Sequence, residues 1–200
     1  MPVTIYTIGH SNHQIEAFLD LLQRHEIAVV ADVRSSPYSR WQPQFNQSDL
    51  RKSLSRSGIR YEQFCEELGA RSPDQRCYEH GRVIYQRLAD SKAFRDGIAR
   101  LRSFATTQRV AMLCAEREPL ECHRSILIGK VLDSRGDEVL SILGDGSAER
   151  WAELVSRLLR LRKLDRPSLF ESEDDLVARA FLEQEEEIAF RPEKVGEATE

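Results

Sequence analysis

The sequence lacks the features that mark membrane-spanning and zinc-ribbon proteins. No apolar run is long enough to cross a bilayer. Cysteine is scarce, with only four residues in 200: Cys65, Cys77, Cys114 and Cys122. No two of them form a Cys-x-x-Cys pair, so we do not expect a structural zinc ribbon.

The first ten residues, MPVTIYTIGH, have neither a basic flank nor a long apolar core. We therefore expect a first strand there and no signal peptide. A cytoplasmic location follows as the prediction, with no membrane partner and with all four cysteines present as reduced thiols. The chain also lacks internal repeats, and its apolar and charged fractions are ordinary for a globular protein.

The charge is unevenly distributed along the chain. Residues 165–200 contain 12 acidic and four basic residues, a net charge of -8, within a total of -4. The other 164 residues therefore carry +4, from 25 basic and 21 acidic residues. A mildly basic body favours an anionic partner, such as a nucleotide or another small anion, but it is not a strong signature of nucleic-acid binding.

Apolar patterning predicts a three-layer α/β fold, with a mostly parallel sheet and helices on both faces. Residues 3–8 alternate as a strand does, and residues 27–33 form an apolar run typical of a strand buried on both faces. Between them, Ser11 and Gln14 fit a capping box at the start of a helix. We place the α/β domain at residues 3–146 and a helical, acidic extension at 147–200.

The most informative stretch is CAEREPLECHRS, residues 114–125. It follows the apolar strand pattern of residues 109–114 and leads into an apolar helical pattern. A strand that feeds a helix through such a loop places its side chains where open α/β sheets bind ligands. The loop combines thiols, a carboxylate, an imidazole and guanidinium groups, a mixture that a simple connection would not require.

Three strand ends supply candidate catalytic groups, because parallel strands end at one edge of the sheet. His10 follows the first strand, and Glu116 follows the later one. We predict Glu116 as general acid or base, with His10 or His123 as its proton partner. Cys122 is a candidate nucleophile at a helix start, although a small buried residue is the alternative. Glu116 has an alternative role too, in a salt bridge that only shapes the loops.

Basic residues near the same edge predict an anion site. Arg34, Arg40 and Arg124 would hold a phosphate or carboxylate, with Asp32 and Ser11 as further substrate-binding residues. A structural ion pair with Asp32 or Glu116 is the alternative for Arg124. A divalent metal could use His10, Glu116, Cys122 and His123, but their spacing matches no ligand signature. The sequence thus requires no cofactor, and we predict no metal site.

Several motifs, taken in order, resemble the family known as domain of unknown function 488. They cover residues 3–146 and are TIGHS at 7–11, DVR at 32–34 continuing through Pro37, Ser39, Arg40 and Phe45, GI-x-Y at 58–61, LG at 68–69, and LCAE at 113–116 continuing through Pro119 to CHR at 122–124. Ala70 stands where the family often has a second glycine. The resemblance implies a compact α/β fold and no established reaction.

Our leading hypothesis is a hydrolase or transferase acting on an anionic substrate such as a nucleotide or phosphorylated metabolite. The first alternative is a nucleotide- or nucleic-acid-binding module without turnover, because residues 38–41 mix aromatic and basic side chains. The second is an interaction scaffold, in which the helix that begins near Trp151 and the acidic extension dock a partner. That helix also makes a homodimer a reasonable expectation.

Overall fold

A computed structural model describes residues 1–166 and 171–192 of the chain. The strands are β1 Thr4–Gly9, β2 Val29–Asp32, β3 Arg60–Gln63, β4 Tyr78–Glu79, β5 Arg82–Val83, β6 Val110–Cys114, β7 Glu138–Ile142 and β8 Ala148–Arg150. The α-helices are α1 Ile15–Arg24, α2 Gln47–Arg56, α3 Cys65–Leu68, α4 Tyr85–Ala89, α5 Lys92–Ala105, α6 Lys130–Asp133, α7 Trp151–Leu161 and α8 Glu173–Ile188. A π-helical turn, Arg124–Gly129, leads directly into α6.

The main sheet has six strands in the order β3-β2-β6-β1-β7-β8. Every neighbouring pair is parallel except β7 and β8, which run antiparallel. The two remaining strands, β4 and β5, form a separate antiparallel pair. The predicted mostly parallel sheet is therefore confirmed, and β6 lies at its centre between β1 and β2.

The sheet buries both of its faces, as the continuous apolar strand runs predicted. Successive side chains of a strand point to opposite faces, so neighbours in sequence join different cores. Val30 packs into the core that contains Phe18 of α1 and Leu50 of α2. Val29 packs into the larger core on the other face, which contains Ile98 of α5. Helices on both faces make the predicted three-layer α/β architecture.

The start of α1 differs from the prediction. Ser11 does not cap the helix, which begins at Ile15 after Gln14 as its N-cap residue. Ser11 instead lies in a turn with a φ of 46°, and its backbone N–H donates to the carbonyl of Ala115 at 2.9 Å. The predicted capping box is wrong because the N–H of Ser11, which such a box requires, is bonded to the loop that follows β6.

The C-terminal helices pack back onto the sheet domain. The last strand, β8, extends the sheet beyond the predicted domain boundary at residue 146. Trp151 at the start of α7 stacks on Phe181 of α8, with ring centroids 5.7 Å apart. The buried amide of Gln184 donates to the carbonyl of Leu120 at 2.8 Å, which ties α8 to the loop after β6. Among the helices described, none has the length and apolar character needed to span a membrane.

Candidate functional site

The site lies where β1, β2 and β6 end, at the carboxyl edge of the sheet. The backbone N–H of His10 donates to the carbonyl of Cys114 at 2.9 Å, and that of Val33 donates to Leu113 at 3.1 Å. The three strands therefore end at the same level of the sheet, and these hydrogen bonds join the segments that follow β1 and β2 to the end of β6. Because β6 is central, the segments after β1 and β2 flank the segment after β6, as the sequence predicted.

The loop after β6 is fixed from two sides. A β-carbon on Gly9 would lie 1.9 Å from the carbonyl oxygen of Glu116, so only glycine allows the loop to approach β1 so closely. On the other side, the fully buried guanidinium of Arg124 donates to the carbonyls of Glu116 at 2.7 Å and Arg117 at 3.1 Å. These contacts hold the backbone of Glu116 in place.

Cys114, Cys122 and His123 form a compact group at the base of this loop, which we call the thiol cluster. The sulfurs of Cys114 and Cys122 lie 3.7 and 3.8 Å from Nδ1 of His123. They lie 2.8 and 3.0 Å from Oε2 of Glu116. All three residues of the cluster are buried, whereas Glu116 is exposed to solvent.

The orientation of His123 is set by the end of β2. Its Nε2 lies 3.1 Å from the carbonyl oxygen of Val33. A carbonyl oxygen only accepts hydrogen bonds, so Nε2 carries the hydrogen and donates it. In the neutral ring Nδ1 is then unprotonated, and its lone pair faces the two sulfurs.

The two thiols are electrostatically unequal. Burial raises the pKa of Cys114 well above its usual value, and the adjacent Cys122 adds to the effect. Burial also opposes ionisation of Cys122, but the hydrogen bond from Cys114 and the positive charge of Arg124 hold its pKa well below the usual value. Cys122 is therefore the more easily ionised sulfur of the pair.

The pKa values of Glu116 and His123 both depend on the sulfur of Cys122. Desolvation of the carboxyl group and the negative charge of Cys122 raise the pKa of Glu116. Burial disfavours the charged imidazole, yet the hydrogen bond to Cys122 and its charge raise the pKa of His123. The cluster and Glu116 thus share protons among two sulfurs, one nitrogen and one carboxyl oxygen.

A second polar network lies behind the first, around the end of β2. The buried guanidinium of Arg34 forms a two-point ion pair with Asp32, at 2.8 and 2.6 Å. Asp32 also accepts from the hydroxyl of Tyr61 at 2.7 Å. Another nitrogen of Arg34 donates to the carbonyl of Phe45 at 2.9 Å. The charge of Arg34 is therefore largely balanced inside the protein.

His10 belongs to this second network and is held in its neutral form. Its Nδ1–H donates to the carbonyl of Ser11 at 2.9 Å, so Nε2 accepts from Nη1 of Arg34 at 3.3 Å. Its ring stacks on Phe45, with centroids 4.3 Å apart. Desolvation, with the nearby charge of Arg34, lowers the pKa of His10 to about 4.

A pocket of about 200 Å³ opens in front of the thiol cluster. It is lined by Arg34, Ser35, Ser36, Ala70, Arg71, Tyr85, Cys114, Ala115, Glu116, Glu121, His123, Ile188 and Phe190. The cluster and the loop after β6 form one wall, and the segment after β2 forms another. Sulfur, imidazole, carboxylate and guanidinium groups thus share one small space.

The C-terminal segment supplies the remaining wall of the pocket, through Ile188 and Phe190. The carbonyl of Phe190 accepts from the backbone N–H of Val83 at 3.0 Å, which attaches this segment to β5. The guanidinium of Arg71 lies over the ring of Phe190, 4.4 Å from its centroid. The predicted acidic extension therefore contributes one wall of the pocket.

The predicted site residues are distributed unevenly around the pocket. Glu116, His123 and Arg34 line it. The others are outside its lining: Cys122, His10, Asp32, Arg124, Ser11 and Arg40. Arg40 is exposed, with its guanidinium 5.6 Å from the ring centroid of Trp41. Arg124 contacts backbone carbonyls and no carboxylate within 4 Å among the described residues.

Two residues of the site were given no role from the sequence. Cys114 has the appearance of the last apolar residue of a buried strand, and its partner Cys122 is eight residues away. Arg71 lies in a polar segment without any periodicity, six residues after Cys65. The mixture of residue types in 114–125 was a signal for Cys114. Arg71 has the Cys-x5-Arg spacing of a phosphate-binding loop with Cys65, but the acidic residues between them made that match look like chance.

Comparisons with known proteins give one match. The family model described as Domain of unknown function DUF488 matches residues 14–131, more than half of the chain. The matched range contains the loop after β6 and the thiol cluster, but neither β1 nor the C-terminal wall of the pocket. No curated protein matches the chain. No solved structure matches it either.

Proposed function

The chain belongs to the DUF488 family of domains of unknown function, and from the geometry of its pocket we propose that it is an enzyme, a hydrolase or transferase. Its substrate is a small anion, such as a nucleotide or a phosphorylated metabolite. The observation that carries the proposal is the position of Glu116. Its Oε2 lies 2.8 and 3.0 Å from two sulfurs, in a pocket that also contains arginines.

Glu116 is the acid or base of the proposed reaction. A catalytic acid or base must lie within hydrogen-bond reach of the group that exchanges the proton. Its backbone is held by Gly9 and Arg124, while its carboxyl group faces the pocket. A fixed backbone limits the positions available to that carboxyl group, which favours reproducible proton transfer.

Arg71 is the residue we assign to the anion. Arg34 also lines the pocket, but its charge is paired with Asp32. In contrast, Arg71 forms no ion pair within 4 Å among the residues described, and its guanidinium rests on Phe190. Such an arginine can bind a phosphate or carboxylate through two parallel hydrogen bonds, because no carboxylate of the protein neutralises its charge and the ring of Phe190 supports its guanidinium.

The size of the pocket limits the substrate. A volume of about 200 Å³ is below the roughly 300–1,000 Å³ typical of sites that enclose a drug-sized ligand. One phosphate or carboxylate group and the atoms next to it fill such a space. The remainder of a nucleotide would therefore lie outside, along the pocket rim.

His10 and Arg124 act in this proposal as positioning residues. His10 accepts a hydrogen bond from Arg34 and stacks on Phe45, so it sets the direction of one arginine in the pocket. Arg124 holds the loop that presents Glu116. Neither side chain lines the pocket, and neither is expected to touch the substrate.

The test is a ligand screen by thermal shift, with inorganic phosphate, nucleoside monophosphates and sugar phosphates as probes. A ligand at 100 times its Kd stabilises the fold by about 2.7 kcal/mol, which raises the Tm by about 5–10 °C for a chain of this size. We expect Arg71→Ala to abolish the shift. Arg76→Ala, at an exposed arginine paired with Asp74, is the matched control.

Turnover is then followed on each stabilising phosphate ester, by release of phosphate or alcohol. Glu116→Gln should lower kcat by at least about 100-fold, the lower end of the usual contribution from acid–base catalysis. Glu121→Gln, in the same loop and pocket but without a contact to the sulfurs, should retain activity. Equal activity of Glu116→Gln and the wild type would refute the assignment.

One observation favours a second candidate, a module that binds single-stranded nucleic acid. Tyr38 and Trp41 are 71% and 80% exposed, and Arg40 lies against the ring of Trp41. Exposed aromatic rings beside a basic group are typical of base-stacking surfaces. Oligonucleotide binding at low salt that falls steeply with salt, and that Trp41→Ala weakens, would support this candidate. No binding at low salt would eliminate it.

A further inference from the structure

We propose that the thiol cluster is a zinc site, with Sγ of Cys114, Sγ of Cys122 and Nδ1 of His123 as three ligands and a fourth position open to the pocket. The donor atoms lie within 4.8 Å of one another. Thiolate and imidazole together are the ligand set that Zn²⁺ prefers. The inference deepens the proposed function, since the metal would share the pocket with Glu116.

The distances match a tetrahedral site. With about 2.3 Å for a zinc–sulfur bond and about 2.05 Å for a zinc–nitrogen bond, two ligands at the tetrahedral angle lie about 3.6 Å apart. Nδ1 of His123 lies 3.7 Å from one sulfur and 3.8 Å from the other. A zinc ion therefore fits between the three atoms with only small movements of their side chains.

The surroundings of His123 are those of a metal ligand. Histidines that bind metals almost always donate their second ring N–H to a carboxylate, a backbone carbonyl or water, which fixes the tautomer and aims the lone pair. Nε2 of His123 donates to the carbonyl of Val33, and Nδ1 faces the sulfurs. The hydrogen bond to Val33 therefore aims the lone pair of Nδ1 at the two sulfurs.

Charge balance also favours the ion. The cluster is buried, and a charge without compensation is costly in such a place. Two thiolates and a neutral imidazole around Zn²⁺ have no net charge, so the occupied site satisfies this requirement. Because thiols must lose their protons to bind a metal, zinc would replace the protons that the sulfurs now share with Glu116.

The fourth position would hold water rather than a protein ligand. Cys114 and His123 line the pocket, so the ion would face it. Oε2 of Glu116 is closer to the sulfurs than the roughly 3.6 Å expected between two zinc ligands, and its distances are those of hydrogen bonds to thiols. With zinc bound, Glu116 would lie beside the metal-bound water. A zinc ion held there would lower the pKa of a bound water, and the carboxylate of Glu116 would be placed to accept its proton.

The experiment measures zinc itself, independently of activity. The full-length protein is reduced with a phosphine, freed of metal by a chelator and titrated with Zn²⁺. We expect one equivalent to bind tightly, and Co²⁺ in its place to give the sulfur-to-metal charge-transfer and visible bands of a tetrahedral thiolate site. Failure of the wild type to bind one equivalent at micromolar free zinc would overturn the inference.

Variants locate the site. Mutating a residue that hydrogen-bonds to a metal ligand typically lowers metal affinity about 10–100-fold. Cys114→Ser and His123→Asn change the ligands themselves, so we expect them to lower zinc affinity by more than that. Cys77→Ser is the matched control, at a buried cysteine outside the cluster. Glu116→Gln should retain one equivalent of zinc. Tight binding in Cys114→Ser and His123→Asn, or loss of zinc in Cys77→Ser, would contradict the assignment, and circular dichroism checks that each variant is folded.

The two proposals can fail separately. Zinc binding without any turnover or anion binding would leave the metal site and remove the proposed enzyme. Turnover that depends on Glu116 in a protein that binds no zinc would remove the metal site alone.

Discussion

Replacing His10 by glutamine should remove a large part of the acid sensitivity of the fold. In the native protein the imidazole accepts from Arg34 and is neutral, with its pKa lowered to about 4. In the unfolded chain the same group has its ordinary pKa of 6.5. Between these values the unfolded chain binds a proton that the folded chain does not bind, so the folded state loses stability as the pH falls.

The magnitude follows from the two pKa values. Each pH unit between them corresponds to about 1.4 kcal/mol, so the whole contribution of His10 is about 3.4 kcal/mol, of which about 3 kcal/mol is lost between pH 7 and pH 4. This stability is fully present above pH 6.5 and is lost as the pH falls to about 4. His10 is only 4% exposed, so solvent does not screen this effect much.

The assay is urea unfolding of the wild type and His10→Gln at several pH values from 7 to 4. Subtracting the two curves cancels the other titrating groups, and the difference in unfolding free energy should change by about 3 kcal/mol in this range. His80→Gln, at an exposed position, is the control for the loss of a histidine as such. Parallel pH profiles for His10→Gln and the wild type would refute the reasoning.

Three further predictions concern stability and are measured by urea unfolding. Gly9→Ala should destabilise the protein by at least about 1–3 kcal/mol, because its β-carbon would collide with a backbone oxygen that cannot easily move; an unchanged midpoint would contradict this. Asp32→Asn should cost about 3–5 kcal/mol, because the charge of Arg34 stays buried without its partner; a loss below about 1 kcal/mol would show that water reaches that charge. Gln184→Ala should cost about 1–3 kcal/mol through the orphaned carbonyl of Leu120, and should accelerate hydrogen exchange in α8; unchanged exchange there would mean that other contacts hold the helix.

The general location of the site could be predicted from the sequence. Alternating and continuous apolar runs identified β1, β2 and β6, and the rule that parallel strands end at one edge brought His10, Arg34 and Glu116 together. That rule depends only on the backbone. The rule therefore predicts which segments meet at this edge of the sheet, even where an individual side chain points away from the pocket.

The partners of the arginines could not be predicted, because they depend on the path of the loops. Arg124 donates hydrogen bonds to the backbone carbonyls of Glu116 and Arg117. No pattern of residue types in a sequence predicts a hydrogen bond to a backbone carbonyl. Arg71 reaches the pocket from a segment without periodicity. The same limit applies to Cys114, since a residue at the end of a buried strand can face either the core or the site.

The capping box at Ser11 shows how tertiary contacts override a local signal. Ser11 and Gln14 have the right types and spacing, but the N–H of Ser11 is bonded to Ala115. The hydrogen bond to the loop after β6 occupies the N–H that the side chain of Gln14 would need in a capping box. Local sequence preferences decide a helix start only where no distant segment competes for the same backbone group.

The wall formed by Ile188 and Phe190 has a consequence for the order in which the site is built during translation. The sulfurs, the imidazole and Glu116 have all been synthesised by residue 123, whereas the last wall is added about 65 residues later. A nascent chain therefore contains the three proposed zinc ligands and Glu116 before it contains the residues of the last pocket wall. On the proposed zinc site, a product truncated before α8 would retain the three ligands and Glu116 but lack the wall formed by Ile188 and Phe190.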